Sequence, residues 1–476
     1  MADVLTPDIC VIGAGSGGLI VAAAAASFGV DVVLIEKDKM GGDCLNYGCV
    51  PSKAILAAGK TAQAMRTSAK FGITPIEKPE INFRKVHDHV HDVIAQIAPN
   101  DSVERFTSLG VNVIEGAGEF IDAKTVKAAD KIIKARRFVI ATGSSAFVPP
   151  IEGLADVPYF TNENLFENTK KIEHLIIIGG GPIGMEMAQA HSRLGCKVTV
   201  IDAFEALGQD DPELTAIVLD SLRDEGINIL EHSKVLSVAP KGKKNITVNI
   251  DKEGEKTAIT GSHLLVATGR KPTIDGLGLE NAGIKTNKRG IETKPDLKTT
   301  NKRAYAIGDV AGGLQFTHTA GYHAGLVIRG ILFRKKAVPN NHITPWVTYT
   351  DPEIGNVGMN ESQAREKYSD INILRWPYHE NDRAIAERKT SGLIKMIVNK
   401  KGLILGVSIV GANAGEMINM WSLAISQKMK VRDVVGYISP YPTMTEIGKR
   451  AAVTYYAPFA KNKWLRRVIG FLRKFD

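Results

Sequence analysis

One pattern occurs twice and fixes most of what this chain can fold into. Residues 8–37, DICVIGAGSGGLIVAAAAASFGVDVVLIEK, read as a short β-branched strand, a turn Gly13-x-Gly15-x-x-Gly18, an alanine-rich helix, and a second strand, Val32–Ile35, that ends in Glu36. The pattern recurs at 175–202, LIIIGGGPIGMEMAQAHSRLGCKVTVID, with Gly179, Gly181 and Gly184 opening the helix and Asp202 closing the second strand. The first glycine of each set makes the tight turn, the second lets backbone approach a pyrophosphate, and the third lets helix and strand pack closely. The helix N-terminus then offers partial positive charge to the phosphates. A chain with two such units is expected to bind two dinucleotides.

The terminal carboxylates refine this. Glu36 and Asp202 are each placed to accept hydrogen bonds from a ribose, and a carboxylate there tolerates a free 2′-hydroxyl but repels a 2′-phosphate, which calls for Arg. Between Asp202 and Gln209 there is neither Arg nor Lys, so the second unit is expected to prefer NAD(H) to NADP(H). Internal similarity continues at 138–153, FVIATGSSAFVPPIEG, and 264–280, LLVATGRKPTIDGLGLE, each a strand running into an Ala-Thr-Gly turn and then proline. These turns mark where the chain passes from one unit to the other. At 304–325, AYAIGDVAGGLQFTHTAGYHAG supplies a strand, a Gly308-Asp309 turn and a helix beginning near Thr317, whose N-terminus is expected to point back toward the ligand of Gly13–Gly18.

Composition excludes several classes of protein. The 476 residues are 44% hydrophobic and 23% charged, ordinary for a globular chain of about three domains. No uninterrupted apolar run reaches the roughly 18 residues of a membrane span. Asp3 and Asp8 precede the early apolar run and glycines crowd it, so it reads as fold rather than as a secretion signal. Outside residues 461–476, basic clusters do not interleave with stacking aromatics, which argues against nucleic acid. Only four cysteines occur, too few for a disulfide framework, and Cys10 and Cys196 lie in or beside expected buried elements. The reducing cytosol is the compartment this implies.

The other two cysteines stand close together in GDCLNYGCVPSK, residues 42–53. In a regular helix, residues five apart are separated by about 7.5 Å of rise and face different ways, whereas disulfide Cα atoms lie roughly 4.4–6.8 Å apart. If Cys44 and Cys49 act as a pair, the backbone between them is distorted, and Gly48 and Pro51 are residues that accept or enforce distortion. The alternatives are two unlinked thiols or a zinc site, the latter lacking a further Cys or His pair at ligand spacing.

CLNYGCVPSK, the two glycine-rich folds, the paired Ala-Thr-Gly turns, the Gly-Asp turn and TPWVTYTDPEIGNVG at 344–358 occur in the order found in the pyridine nucleotide-disulfide oxidoreductases. Over residues 8–455 the chain resembles that class I family, with dihydrolipoamide dehydrogenase, glutathione reductase and mercuric reductase as its nearest branches. The resemblance implies an α/β chain of two Rossmann-like dinucleotide-binding domains, for FAD and NAD, followed by an α+β C-terminal dimerisation domain. Its expected division is an FAD domain at 1–147 and 276–340, an NAD domain at 148–275, a dimerisation domain at 341–460 and a tail at 461–476.

For the sites, the resemblance places FAD against Gly13, Gly15, Ser16, Gly18, Glu36, Gly42 and Lys53 in the first unit. It adds Ala117, the turn Ala141, Thr142 and Gly143, and later Gly308, Asp309, Phe316, Thr317 and His318. NAD falls to Gly179, Gly181, Gly184, Glu186, Asp202 and Gly269. Cys49 becomes the thiol facing the flavin, Cys44 the interchange thiol that meets substrate, and Lys53 pairs with Glu186 near flavin N5. Electrons would run from NADH through FAD to the Cys44–Cys49 disulfide. His318 is expected beside the cofactor, not as a base.

One departure matters. Family members that exchange thiols end in His-x-x-x-x-Glu supplied by the partner subunit, whereas this chain reads Tyr441-Pro-Thr-Met-Thr-Glu446. An imidazole titrates near pH 6.5, but a phenol, near 10, stays protonated at neutral pH. Mercuric reductases carry tyrosine here, yet they add a C-terminal cysteine pair, and no cysteine follows Cys196. The expectation is therefore a homodimeric NADH-dependent flavoprotein disulfide oxidoreductase with a small-molecule or metal-ion acceptor left open. Its alternatives are a dihydrolipoamide dehydrogenase, a mercuric-type metal-ion reductase and a flavin-bearing redox sensor.

Two features stand outside that frame. His87 and His91, at i and i+4 with Asp88 and Asp92 beside them, have a spacing that could bind metal but read as a solvated helix face, so no metal site is expected. In KNKWLRRVIGFLRKFD, residues 461–476, Trp464, Leu465, Val468, Ile469, Leu472 and Phe475 recur at helical spacing, with six Lys or Arg against one Asp. Such a basic amphipathic helix suits the inner face of an anionic membrane or, equally, packing on the chain's own dimer.

Overall fold

The computed structural model describes residues 3–336 and 338–475; Asp476, the acidic end of the tail, lies outside them. The β-branched run Ile9–Ile12 is fully buried and forms the centre of a five-stranded parallel sheet. Its order is Ala304–Ala306, Arg137–Ile140, Ile9–Ile12, Val32–Glu36 and Val111–Glu115, with Ile9 paired to both Val32 and Arg137. Strands buried on both faces read as continuous apolar runs, which is why these segments lack alternation. On one face, helix Ser16–Ser27 packs against helix Thr317–Phe333, close enough that a Cβ on Gly17 would lie 3.3 Å from that of Ala320. Thr317 is thus where the later helix starts, as the sequence indicated.

The second glycine pattern builds a parallel sheet ordered Asn228–Leu230, Lys197–Ile201, His174–Ile178 and His263–Val266, with an antiparallel meander over Ser233–Gly261 beside it. The two Ala-Thr-Gly segments meet: strand Ser144–Ala146 pairs antiparallel with Arg270–Pro272, so both crossings between the units share one short ribbon. Farther along, a five-stranded antiparallel sheet, ordered Trp346–Thr348, Glu353–Gly358, Ile404–Gly411, Leu393–Asn399 and Ile371–Pro377, is covered by helices Ala414–Ser426 and Glu446–Thr454 around buried Trp421 and Tyr378.

The thiol segment is broken where its geometry required. Helix Gly42–Asn46 ends at Tyr47, Gly48 adopts φ −125° and ψ −108°, and a new helix, Cys49–Arg66, starts at once. A side chain at Gly48 would put its Cβ 2.9 Å from Asp43 Oδ2 and 3.0 Å from Asp43 O. The second helix crosses Pro182–Arg193 of the other glycine unit, and Gly59 permits this approach, its virtual Cβ lying 3.2 Å from Ala190 O. Arg66 Nη1 donates to Arg193 O at 2.6 Å, and Arg193 is held by Glu225 and Asp351. Helix packing therefore places the thiol pair at the junction of the two nucleotide units.

Cys10 and Cys196 are buried, and burial raises both thiols, Cys196 to about 11. They are inert packing residues. Among the described residues, no helix is long and apolar enough to cross a membrane. The tail does form a helix, Lys463–Leu472, capped by Asn462, with no buried residue and with Trp464 69% exposed.

Candidate active site

Both glycine turns have the shape that the pattern demands. Gly13 and Gly179 take φ +103° and +113°, and a Cβ on either would lie 2.5 or 2.4 Å from the carbonyl oxygen of Ala141 or Ala267, the first residues of the two Ala-Thr-Gly turns. Gly18 and Gly184 are tighter still, with virtual Cβ atoms 1.8 and 2.0 Å from Gly13 O and Gly179 O. Neither of these third glycines lines the cavity; they shape the turns from behind. Gly42 leaves room for Gly15, whose Cα would lie 2.7 Å from a Cβ there.

A continuous cavity of about 2720 Å³ joins the two turns. Single small-molecule sites are commonly about 300–1,000 Å³, so this one has room for extended ligands. Gly13, Gly15, Ser16, Glu36, Gly42, Ala117, Ala141, Thr142 and Gly143 line one arm; Gly179, Gly181, Asp202 and Gly269 line the other. At their junction stand Cys44, Cys49, Lys53, Glu186, Gly308, Asp309, Phe316, Thr317 and His318. Glu36 accepts the Ala14 N–H at 2.6 Å and Asp202 the Gly180 N–H at 2.6 Å. Each carboxylate thus braces its own turn, and its remaining lone pairs are what a ribose would meet.

Electrostatics at the junction separate the two thiols. Cys49 lies 3.3 Å from Thr317 Oγ1, at the N-terminus of helix Thr317–Phe333. The hydrogen bond from Cys44 lowers Cys49 to about 6 against the opposing effect of burial, with Thr317 and the charge of Lys53 adding to the lowering. The same bond, followed by burial, pushes Cys44 far up. At neutral pH the reduced pair is therefore a Cys49 thiolate held by a protonated Cys44. Lys53 Nζ sits 2.8 Å from buried Glu186 and 4.3 Å from the ring centroid of Tyr349, whose N–H donates to Glu186 at 3.0 Å.

This charge separation has a direct readout. Alkylation of the reduced protein by iodoacetamide is expected to rise as pH climbs through about 6, where the Cys49 thiolate forms, and to level off above it. Lys53→Met is expected to move that midpoint upward, because a lowering charge is removed. A midpoint near 8.5 in the unsubstituted protein, the value of a free thiol, would contradict the assignment.

Several lining residues lay outside the sequence reading. Arg270 donates to Ser144 O at 2.7 Å and pairs with Asp43 at 3.1 Å, while Ser144 bonds Asp309 at 2.5 Å; burial raises Asp309. Asn162 donates to Asp43 at 2.9 Å and to Tyr47 O at 3.2 Å, bracing the thiol segment. Arg270 follows the second Ala-Thr-Gly turn and Tyr349 lies in the 344–358 signature, the only signals either gave. His318 Nε2 contacts Pro345 O at 2.7 Å and its ring stacks on Phe316, which leaves it a positioning role at the cavity wall. Tyr441 and Glu446 do not line the cavity of their own chain; Tyr441 is 68% exposed and donates to Asp382 at 2.8 Å.

Two dinucleotide cradles with a polarised thiol pair between them define a nucleotide-dependent dithiol oxidoreductase. The chain belongs to the pyridine nucleotide-disulphide oxidoreductase family: residues 7–324 match that family's model and 344–452 its dimerisation domain. A mercuric reductase of Staphylococcus aureus is 33% identical over 94% of this chain and 82% of its own length. A dihydrolipoyl dehydrogenase of Geobacillus stearothermophilus is 34% identical over 94% of this chain and 95% of its own. Among solved structures, the Cu(II) complex of the HOCl-induced flavoprotein disulfide reductase RclA from Escherichia coli superposes with TM-score 0.82 at 28% identity, covering 92% of this chain and 98% of that one. The protein is accordingly an enzyme of this family, with FAD and NAD(P)H as cofactors. The cradles fit them: backbone approaches closely only where glycine leaves room, and helices Ser16–Ser27 and Pro182–Arg193 point their N-termini into the two arms. The dimerisation domain supports a homodimer.

Proposed function

We propose that this enzyme uses NADH to reduce the Cys44–Cys49 pair and passes the electrons to an acceptor that a thiolate can bind directly, soft metal ions foremost. Gly13, Gly15, Ser16 and Gly42 would hold FAD, and Gly179, Gly181 and Asp202 would hold NADH, with no Arg or Lys from Asp202 to Gln209 to favour a 2′-phosphate. Two-electron transfer between nicotinamide and thiols is the chemistry that FAD supplies when bound. Lys53 holds a positive charge at the junction, and buried Glu186 fixes its position.

The observation that carries the choice of acceptor is the protonation of the pair. Cys44, the thiol assigned to attack a disulfide substrate, keeps its proton, so exchange needs a base. Tyr441 cannot serve, because the hydrogen bond to Asp382 raises a phenol that is already protonated at neutral pH. A metal ion needs no such base: soft cations bind thiolate sulfur, and Cys49 is already ionised. The reduced pair then becomes the disulfide, giving two electrons to one two-electron acceptor such as Hg(II) or to two Cu(II) ions, and its proton to solvent. Exposure of Tyr441 and its absence from its own chain's cavity support its delivery to the neighbouring subunit's site.

Lipoamide is the second reading, favoured by Glu446 in its family position and by the dihydrolipoyl dehydrogenase relatives. An acceptor screen with NADH and NADPH against Cu(II), Hg(II), quinones, glutathione disulfide and lipoamide separates the two. The expected result is metal-ion reduction with NADH, weak lipoamide turnover, and a gain in lipoamide turnover of about 10²-fold in Tyr441→His, the lower range for a general base. Fast lipoamide turnover in the unsubstituted enzyme would overturn the acceptor assignment. Retained NADH and FAD binding with no acceptor reduced would instead point to a sensor.

We place the enzyme in the cytoplasm, with the tail at the inner membrane face. Helix Lys463–Leu472 leaves Trp464, Ile469, Phe471 and Leu472 exposed alongside its basic residues. Binding to anionic liposomes is expected to fall with added salt and to vanish on deletion of 461–476. Unchanged binding after deletion would refute it.

A further inference from the structure

His87 and His91 lie on a helix face that is partly covered: their side chains are 17% and 34% exposed, because helix Phe83–Ile97 lays both rings against the turn Leu165–Glu167. Glu167 Oε2 there lies 3.6 Å from His91 Nε2 and 4.0 Å from His87 Nε2. All three ligand atoms fall within 4.8 Å of one another. From the geometry we infer a binding site for a borderline divalent cation of the zinc class, held by His87, His91 and Glu167 and separate from the redox cavity.

Two features support this. Tetrahedral zinc has ligand bonds of about 2.0–2.2 Å, which puts neighbouring ligand atoms about 3.3–3.6 Å apart. Glu167 stands 3.6 Å from His91 and 4.0 Å from His87, and the two histidines lie within 4.8 Å, so binding draws the histidines together. Asp88 Oδ1 lies 3.0 Å from His87 Nδ1. That carboxylate fixes the tautomer with the proton on Nδ1 and leaves Nε2 free to ligate, the usual outer arrangement around a metal-bound histidine. Phe166 O accepts from His91 Nε2 at 3.3 Å, a bond that the cation would displace. Two imidazoles and a carboxylate suit Zn(II) or Cu(II) better than Ca(II) or Mg(II), which prefer all-oxygen sets.

The cation would clasp two supports of the thiol segment. Helix Phe83–Ile97 is tied to the redox helix through His89 Nε2 and Ala54 O, 3.2 Å apart. The chain leading to Glu167 carries Asn162, which holds Asp43 and Tyr47. Metal bound here would stiffen the frame around Cys44 and Cys49 without touching either.

The test uses the FAD-loaded full chain carrying Cys44→Ser and Cys49→Ser, so that the redox thiols cannot bind the probe. Titration with Co(II), read by visible d–d absorption, and with Zn(II), read by competition and by melting temperature, is expected to show one site per chain and a rise in melting temperature. Adding His87→Ala or Glu167→Gln should weaken binding at least about 100-fold, and Asp88→Asn by about 10–100-fold, as loss of an outer-shell partner does. FAD content and the metal-free melting temperature report folding. If His87→Ala loses FAD, Glu167→Gln, on an exposed turn, makes the same comparison. No binding in the double serine protein, or binding that these substitutions leave unmoved, overturns the site.

Discussion

Cys49→Ser is expected to lower NADH-driven acceptor reduction by at least about 10³-fold, the order seen when a reacting nucleophile is removed. FAD content and NADH binding should persist. The size of the effect follows from the chemistry at one atom. Cys49 carries the charge of the reduced pair because Cys44, Thr317 and Lys53 stabilise its thiolate. A serine hydroxyl neither ionises at neutral pH nor closes a disulfide, so the pair loses both its storage state and its metal-binding sulfur. Exposed Cys49 contributes little packing, which keeps the loss catalytic rather than structural. Equal turnover in the variant, measured with Cu(II) and NADH, would show that electrons leave the enzyme by a route that bypasses the thiols.

Gly184→Ala is the second large effect, and it is selective. The added methyl would lie 2.0 Å from Gly179 O, a clash with backbone that only displacement of the turn or of helix Pro182–Arg193 relieves. Misplacement of about 1 Å is enough to cost roughly 10² in rate, so reduction by NADH should fall at least that far. FAD content should stay near one per chain, because the first turn is built by other residues. Gly18→Ala, with its methyl 1.8 Å from Gly13 O, should reverse the pattern and empty the enzyme of FAD. Loss of FAD from the Gly184 variant would contradict the division of labour between the two arms.

Legibility in the sequence followed the range of the interactions. Glycine turns, their flanking strands and the start of the Thr317 helix were plain because neighbours within about thirty residues determine them. The break between Cys44 and Cys49 was also legible, since two thiols at that spacing cannot meet on a regular helix, and Gly48 supplied it. Arg270, Asn162 and Tyr349 were not legible. Their partners, Ser144, Asp43 and Glu186, lie more than a hundred residues away, and only tertiary structure, such as the ribbon that pairs Ser144–Ala146 with Arg270–Pro272, brings them in. His87 and His91 were half legible: their spacing was visible, but Glu167, which completes a candidate ligand set with them, belongs to a distant turn. Conversely, the missing histidine at Tyr441 was visible at once, while its consequence needed the protonation state of Cys44.

The proposed electron route runs from NADH to a Cys44–Cys49 disulfide inside this enzyme. Anaerobic titration of the oxidised holoenzyme with NADH tests it most directly, with the Cys44→Ser, Cys49→Ser protein as control. The unsubstituted enzyme is expected to consume one more equivalent of NADH per chain than the control before free NADH accumulates, and to develop the long-wavelength absorbance of a thiolate beside a flavin. Equal consumption by the two proteins, with no such band, would contradict the account.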